Sequence, residues 1–230
     1  MKFIEMDEAT ICVWLCVLLM PVFVALVRLL VVLPLNRKVS TSKFSLSEVD
    51  GVNGKTMMVL LGSGGHTGEM MRILANVNLA NLNRIWVTST GDSTSVLKAR
   101  DYENQLESKF MPQYVQLHRA RKVGESILSS ALNSVKSLVM TVPLLLSLPQ
   151  FPDVLLVNGP GTCVPLAYIL FVLKFLGIAN TKIIYIESLA RVDHLSLSGK
   201  LIFPIADRFV VQWEQLQYKY HRAEYYGILI

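Results

Sequence analysis

The segment Gly62-Ser63-Gly64-Gly65-His66-Thr67-Gly68-Glu69 has the residue types and order of an anion site. It leaves an apolar run and opens a helix-periodic one. Amides at such a turn point outward, and the helix dipole favours negative charge there. Glycines let a ligand approach the backbone closely. His66 stands where a strand end meets a helix start, the edge at which open α/β sheets hold ligands. An imidazole there can serve as a general base. Helix capping or plain solvation is the other reading of His66, and the residues alone leave the two open.

Two further turns reach the same edge. Asn158-Gly159-Pro160-Gly161-Thr162 ends the apolar run DVLLV and precedes a helix. It brings Gly161 and Thr162 toward the first loop, or else forms a structural turn with Thr162 as N-cap. Glu187-Ser188 ends KIIYI, and Arg191 and Asp193 follow. Glu187 is placed to hold a sugar hydroxyl, to orient His66, or to cap its own turn. His118, His194 and His221 are scattered and read as surface or structural residues.

Several chemistries are excluded. Thr67 breaks the dinucleotide fingerprint, and no acidic residue closes the second strand at Ser89. Gly54-Lys55-Thr56 precedes a strand, and position 49 is Val49, so there is no Walker A motif. A G-x-S-x-G elbow is absent. The 3 cysteines lack metal-ligand spacing, so neither a metal nor another cofactor is expected.

The elements that must position these loops alternate. Apolar runs at 56–62, 84–89, 114–117, 153–157, 182–188 and 208–213 read as strands. Helical stretches at 67–79, 93–108, 125–148 and 164–177 lie between them, the third interrupted by Pro143. Such alternation predicts α/β architecture: a single Rossmann-like domain with a parallel sheet. The two most apolar stretches, 138–148 and 164–176, read as core helices or as surfaces lying against a bilayer.

Composition adds the remaining part. The chain has 230 residues, 52% apolar and 17% charged, with net charge +5. Its charge content is below the ~25% of ordinary soluble domains, and disorder is excluded. The basic balance suits nucleic acid or an anionic membrane equally. Ala9–Val27 contains no charge, enough with LLVVLPL beyond Arg28 to cross a bilayer of ~30 Å. Pro21 is tolerable in a bilayer helix, and Arg28 is expected to snorkel. A cleaved signal peptide fits poorly, because the run is long and Glu5, Asp7 and Glu8 precede it. Arg28, Arg37, Lys38 and Lys43 place the following chain in the cytosol. The expected organisation is a lumenal N-terminus and transmembrane anchor at 1–35, a linker at 36–55, the Rossmann-like domain at 56–224 and a tail at 225–230.

The order anchor, LLGSGGHTGEMMRI, WVTSTGD, LVNGPGTCVPLAY, IYIESLARVDHLSLSGK and VQW carries a resemblance. It resembles the membrane-anchoring subunits of the dolichol-linked UDP-GlcNAc transferase, the fourteenth asparagine-linked glycosylation family. That family is similar to the N-terminal half of MurG-like GT-B enzymes. The resemblance implies one lobe of a split GT-B glycosyltransferase at the endoplasmic reticulum membrane, contiguous with the nuclear envelope. The partner implied is a soluble catalytic subunit carrying the UDP-GlcNAc-binding lobe, in a heterodimer or larger assembly. The length leaves no room for a second lobe of ~150 residues. The acceptor implied is dolichol-pyrophosphate-GlcNAc, with no nucleic acid and no activity alone. His66 is then the candidate base with Glu187 beside it. Gly62, Ser63, Gly64, Gly65 and Thr67 would cradle pyrophosphate. Asn158, Gly159, Gly161, Thr162 and Ser188 would shape the acceptor-sugar site. Tyr225, Tyr226, Gly227, Ile228, Leu229 and Ile230 would dock the partner, unless they add a last strand to the chain's own sheet. The alternatives are a pure membrane adaptor and a self-sufficient nucleotide-sugar enzyme.

Overall fold

A computed structural model describes residues 7–34, 54–118 and 127–230. Most of the expected linker, at 36–53, and the start of the expected 125–148 helix lie outside the described residues. The chain opens with α1 (Glu8–Val32), which holds Pro21 in its interior. The domain follows as β1 (Thr56–Leu60), α2 (Gly65–Ala75), β2 (Asn83–Ser89), α3 (Ser93–Gln105), β3 (Gln113–Leu117) and α4 (Ile127–Leu146). It continues with β4 (Val154–Val157), α5 (Cys163–Phe175), β5 (Lys182–Ile186), α6 (Leu197–Ile202), β6 (Arg208–Val211), α7 (Glu214–Lys219) and β7 (Glu224–Tyr225).

The seven strands form one sheet in the order β3-β2-β1-β4-β5-β6-β7. All six pairings are parallel. β1 is central, with Met58 opposite Ile85 on one side and Leu155 on the other. Every residue of β1 is buried, as a strand covered on both faces requires. Alternation sends Met58 and Leu60 to one face with α4, α5 and α6, and Met57, Val59 and Leu61 to the other with α2 and α3. Crossovers leave β1 and β4 in opposite directions, so a crevice opens between their C-terminal ends.

The alternative reading of the tail, a last strand in the chain's own sheet, holds at its start: Tyr225, with Glu224 before it, pairs with Val211 and Val210. Arg28 donates from Nε to the Phe175 carbonyl and from Nη2 to the Lys174 carbonyl, each at 3.0 Å, capping the C-terminus of α5. Val32 is buried in the core beside α5, so the end of α1 is fixed to the domain. α5 itself is mainly a core helix, with eight of its 13 residues buried.

A buried ion pair holds the outer half of the sheet. Arg84 is 1% exposed and binds Glu103 through two hydrogen bonds of 2.7 and 2.9 Å. Trp86 Nε1 donates to the same carboxylate at 2.6 Å. The remaining guanidinium donors reach the carbonyls of Leu79, Leu82 and Phe110. Replacing Glu103 with Ala strands a buried cation. The full chain in detergent should lose about 3–5 kcal/mol, read from its urea midpoint. A loss below about 1 kcal/mol, the worth of a surface pair, would contradict this account.

Candidate functional site

The loop from β1 to α2 and the loop from β4 to α5 meet at the switch point. A Cβ on Gly62 would lie 2.8 Å from Pro160 Cβ and Cγ and 2.9 Å from His66 Cβ. Only glycine fits this contact. Gly64 adopts φ 67° and stands as N-cap of α2 without a side-chain cap. Its left-handed conformation turns the chain into the helix and leaves the first-turn amides without side-chain acceptors. Ser63, Gly64 and Gly65 are exposed. Together these features leave the turn open at the N-terminus of α2.

His66 occupies the first turn of α2, half-buried, with its ring beside Gly159. A Cβ on Gly159 would lie 3.2 Å from His66 Cε1, and Gly159 has φ 91°. His66 Nδ1 is buried, makes no hydrogen bond, and lies 3.7 Å from Glu69 Oε2. The other Glu69 oxygen accepts from Ser188 Oγ at 3.0 Å and from the Leu189 amide at 2.8 Å. Glu69 therefore ties the first loop to the third and faces the inner nitrogen of the imidazole. Sequence reading passed over it. The signal was present, since residues three apart on a helix are neighbours.

Asn158 is buried and donates from Nδ2 to the His66 carbonyl at 2.7 Å. Its Oδ1 is buried without a donor, an acceptor that a hydroxyl would complete. Ser188 borders the same crevice through Glu69. Gly161 is exposed at the turn.

Thr67, Thr162 and Glu187 are buried. The Thr67 hydroxyl donates to the Gly62 carbonyl and lies 2.6 Å from Ser95 Oγ. Ser95 in turn donates to the N-cap Asp92 at 2.7 Å, joining α3 to the loop. Thr162 is buried with Oγ1 3.4 Å from Ser89 Oγ and makes no N-cap bond. Glu187 is fully buried under α6. It accepts from the Ser196 amide at 2.9 Å, Ser196 Oγ at 3.1 Å and the Ser188 amide at 3.1 Å. A Cβ on Gly199 would collide with its Oε2. Glu187 organises the third loop from within, and Glu69 is the carboxylate beside His66.

In the tail, Tyr226 and Leu229 pack on the sheet and Ile228 is 55% exposed. No cluster of metal-ligating residues occurs among the described residues. Cys163 is buried, and burial pushes its thiol well up, away from nucleophile character.

The family model described as "Oligosaccharide biosynthesis protein Alg14 like" matches residues 57–229. The protein named UDP-N-acetylglucosamine transferase subunit ALG14 in Debaryomyces hansenii is 58% identical over 97% of this chain and 99% of its own length. Its namesake in Candida albicans is 48% identical over 97% and 99%. The Mus musculus namesake is 35% identical over 76% and 82%. Among solved structures, Acinetobacter baumannii MurG is similar at TM-score 0.47 and 13% identity, over 70% of this chain and 42% of that one. The chain thus spans less than half of MurG.

Burial holds the Glu187 carboxyl above its ordinary range, against the pull of the Ser196 and Ser188 amides. A carboxyl raised on folding binds its proton more tightly in the folded state. Its contribution to stability is present below the unfolded value and is lost as pH rises through the raised one. Glu187→Gln should therefore gain on the wild type in melting temperature as pH rises from about 4.5 toward neutrality. A difference independent of pH would refute this assignment.

Proposed function

Since the chain belongs to the Alg14-like family of oligosaccharide biosynthesis proteins, we propose that it is the membrane-anchoring, acceptor-side subunit of a UDP-GlcNAc transferase. The complex adds the second GlcNAc to dolichol-pyrophosphate-GlcNAc on the cytosolic face of the endoplasmic reticulum. The observation that carries this reading is the half-exposed His66 imidazole beside the exposed Ser63–Gly65 amide cradle. A sugar pyrophosphate needs both: donors for its charge and a base for its hydroxyl.

In this mechanism the amides at Ser63, Gly64, Gly65 and Thr67 bind the acceptor pyrophosphate. The buried Asn158 Oδ1 accepts from an acceptor-sugar hydroxyl. The acceptor O4 attacks C1 of the donor sugar, the C1–oxygen bond to UDP breaks, and the O4 proton passes to His66. Glu69 faces Nδ1, which leaves Nε2 as the proton acceptor. UDP departs from the partner's lobe. The partner is a soluble catalytic subunit that holds UDP-GlcNAc, and the tail at 225–230, with Ile228 exposed, is its docking element.

α1 is the anchor in this reading. Its stretch Cys12–Val32 is long and apolar enough to cross a membrane, and most of its apolar side chains before the last turn are exposed. The basic residues after it favour the cytosolic side for the domain.

The deciding assay measures GlcNAc transfer to a short dolichol-pyrophosphate-GlcNAc analogue in detergent. It compares the chain alone, the co-purified soluble partner alone, and both together. Activity is expected only with both. His66→Ala should lower kcat about 10²–10⁴-fold while the partner still co-purifies. Glu69→Gln should lower kcat with the acceptor KM unchanged, because it turns the ring without touching the cradle. Full activity of the His66→Ala complex would reduce this chain to a tether.

A further inference from the structure

Gln212 directly follows β6 and is 1% exposed. Its side chain is bonded on both sides. Nε2 donates to the Glu187 carbonyl at 3.0 Å, and Oε1 accepts from the Leu229 amide at 3.2 Å. A carboxamide supplies this donor and this acceptor together. The first partner opens the loop after β5, beside the crevice. The second lies in the tail.

From Glu187 the connection runs on to the imidazole. The Ser188 amide donates to the Glu187 carboxylate at 3.1 Å. Ser188 Oγ and the Leu189 amide donate to one oxygen of Glu69, at 3.0 and 2.8 Å. The other Glu69 oxygen lies 3.7 Å from His66 Nδ1. Trp213, the residue after Gln212, donates from Nε1 to the Leu189 carbonyl at 2.7 Å. Two successive side chains thus hold the third loop at Glu187 and at Leu189, on either side of Ser188.

The tail presents its residues in opposite directions. Leu229 packs inward on the cluster that contains Ile186 and Val210, whereas Ile228 is 55% exposed. A partner that grips Ile228 fixes the amide of the next residue, and that amide is the one bonded to Gln212.

We infer that Gln212 is a positioning residue, which transmits the seating of the tail to the third loop and so sets Glu69 against His66 when the partner docks. The inference rests on the proposed reading of the tail as docking element and of His66 as base. Gln212 acts through Glu187, Ser188 and Glu69, and the position of the imidazole then depends on the assembled pair.

Hydrogen exchange of the full chain in detergent, with and without the soluble partner, reads this linkage without turnover. Partner binding should slow exchange at Ser188 and Leu189 about fivefold or more in the wild type. It should leave exchange there unchanged in Gln212→Leu. Transfer kinetics read the consequence: Gln212→Leu should lower kcat about fivefold, with the acceptor KM and the amount of co-purified partner unchanged. Leu229→Pro removes the amide hydrogen at the other end. The double variant should be no slower than the slower single one, as expected for two ends of one linkage. If Gln212→Leu fails to fold, Gln212→Glu takes its place, keeping the acceptor for Leu229 and losing the donor to Glu187. No slowing of exchange in the wild type, equal slowing in the variant, or additive losses in kcat overturns the proposal. Loss of the partner from the variant would make position 212 a docking residue and overturn it also. An inactive wild-type pair would refute the proposed function, while the exchange measurement still decides the linkage.

Discussion

The approach of the β1–α2 loop to the β4–α5 loop sets the geometry at the upper edge of the sheet. Pro160 and His66 stand within 2.9 Å of where a Gly62 Cβ would lie. That contact places the His66 ring over Gly159 and leaves the turn at Ser63–Gly65 open. Asn158 then locks the arrangement by holding the His66 carbonyl. The Thr67–Ser95–Asp92 chain ties the same loop to α3 from behind.

The three loops have different internal supports. The first relies on glycine geometry and the second on Pro160 and Asn158. The third relies on a buried carboxylate, Glu187, around which Ser188, Ser196 and Gly199 close. Glu69 links the third loop to the first through Ser188 and the Leu189 amide.

At the lower edge, the anchor is joined to the domain by specific contacts. Arg28 satisfies carbonyls that the end of α5 would otherwise leave open, and Arg222 donates to the Pro34 carbonyl at 3.1 Å. α5 connects the two edges: its first turn follows the Asn158–Thr162 loop and its last turn receives the anchor. The end of α1 and the crevice are therefore joined through one helix.

Local pattern in the sequence already determined much of this. Apolar runs ending in glycine located the central strands, because a strand covered on both faces has no polar alternation to show. The glycine turns located the crevice, because a positive φ and a missing Cβ are written in the residue type. The long uncharged run located α1 for the same local reason. The tertiary structure alone decided which side chains face that crevice. Glu187 follows Tyr185 by two residues, so it points to the α6 side of the sheet and is covered there, while Glu69 takes the place beside His66. Arg28 found α5, Arg84 found Glu103, and Tyr225 found β6. Each of these is a pairing between residues distant along the chain, and side-chain direction at a strand end depends on which helix covers that face.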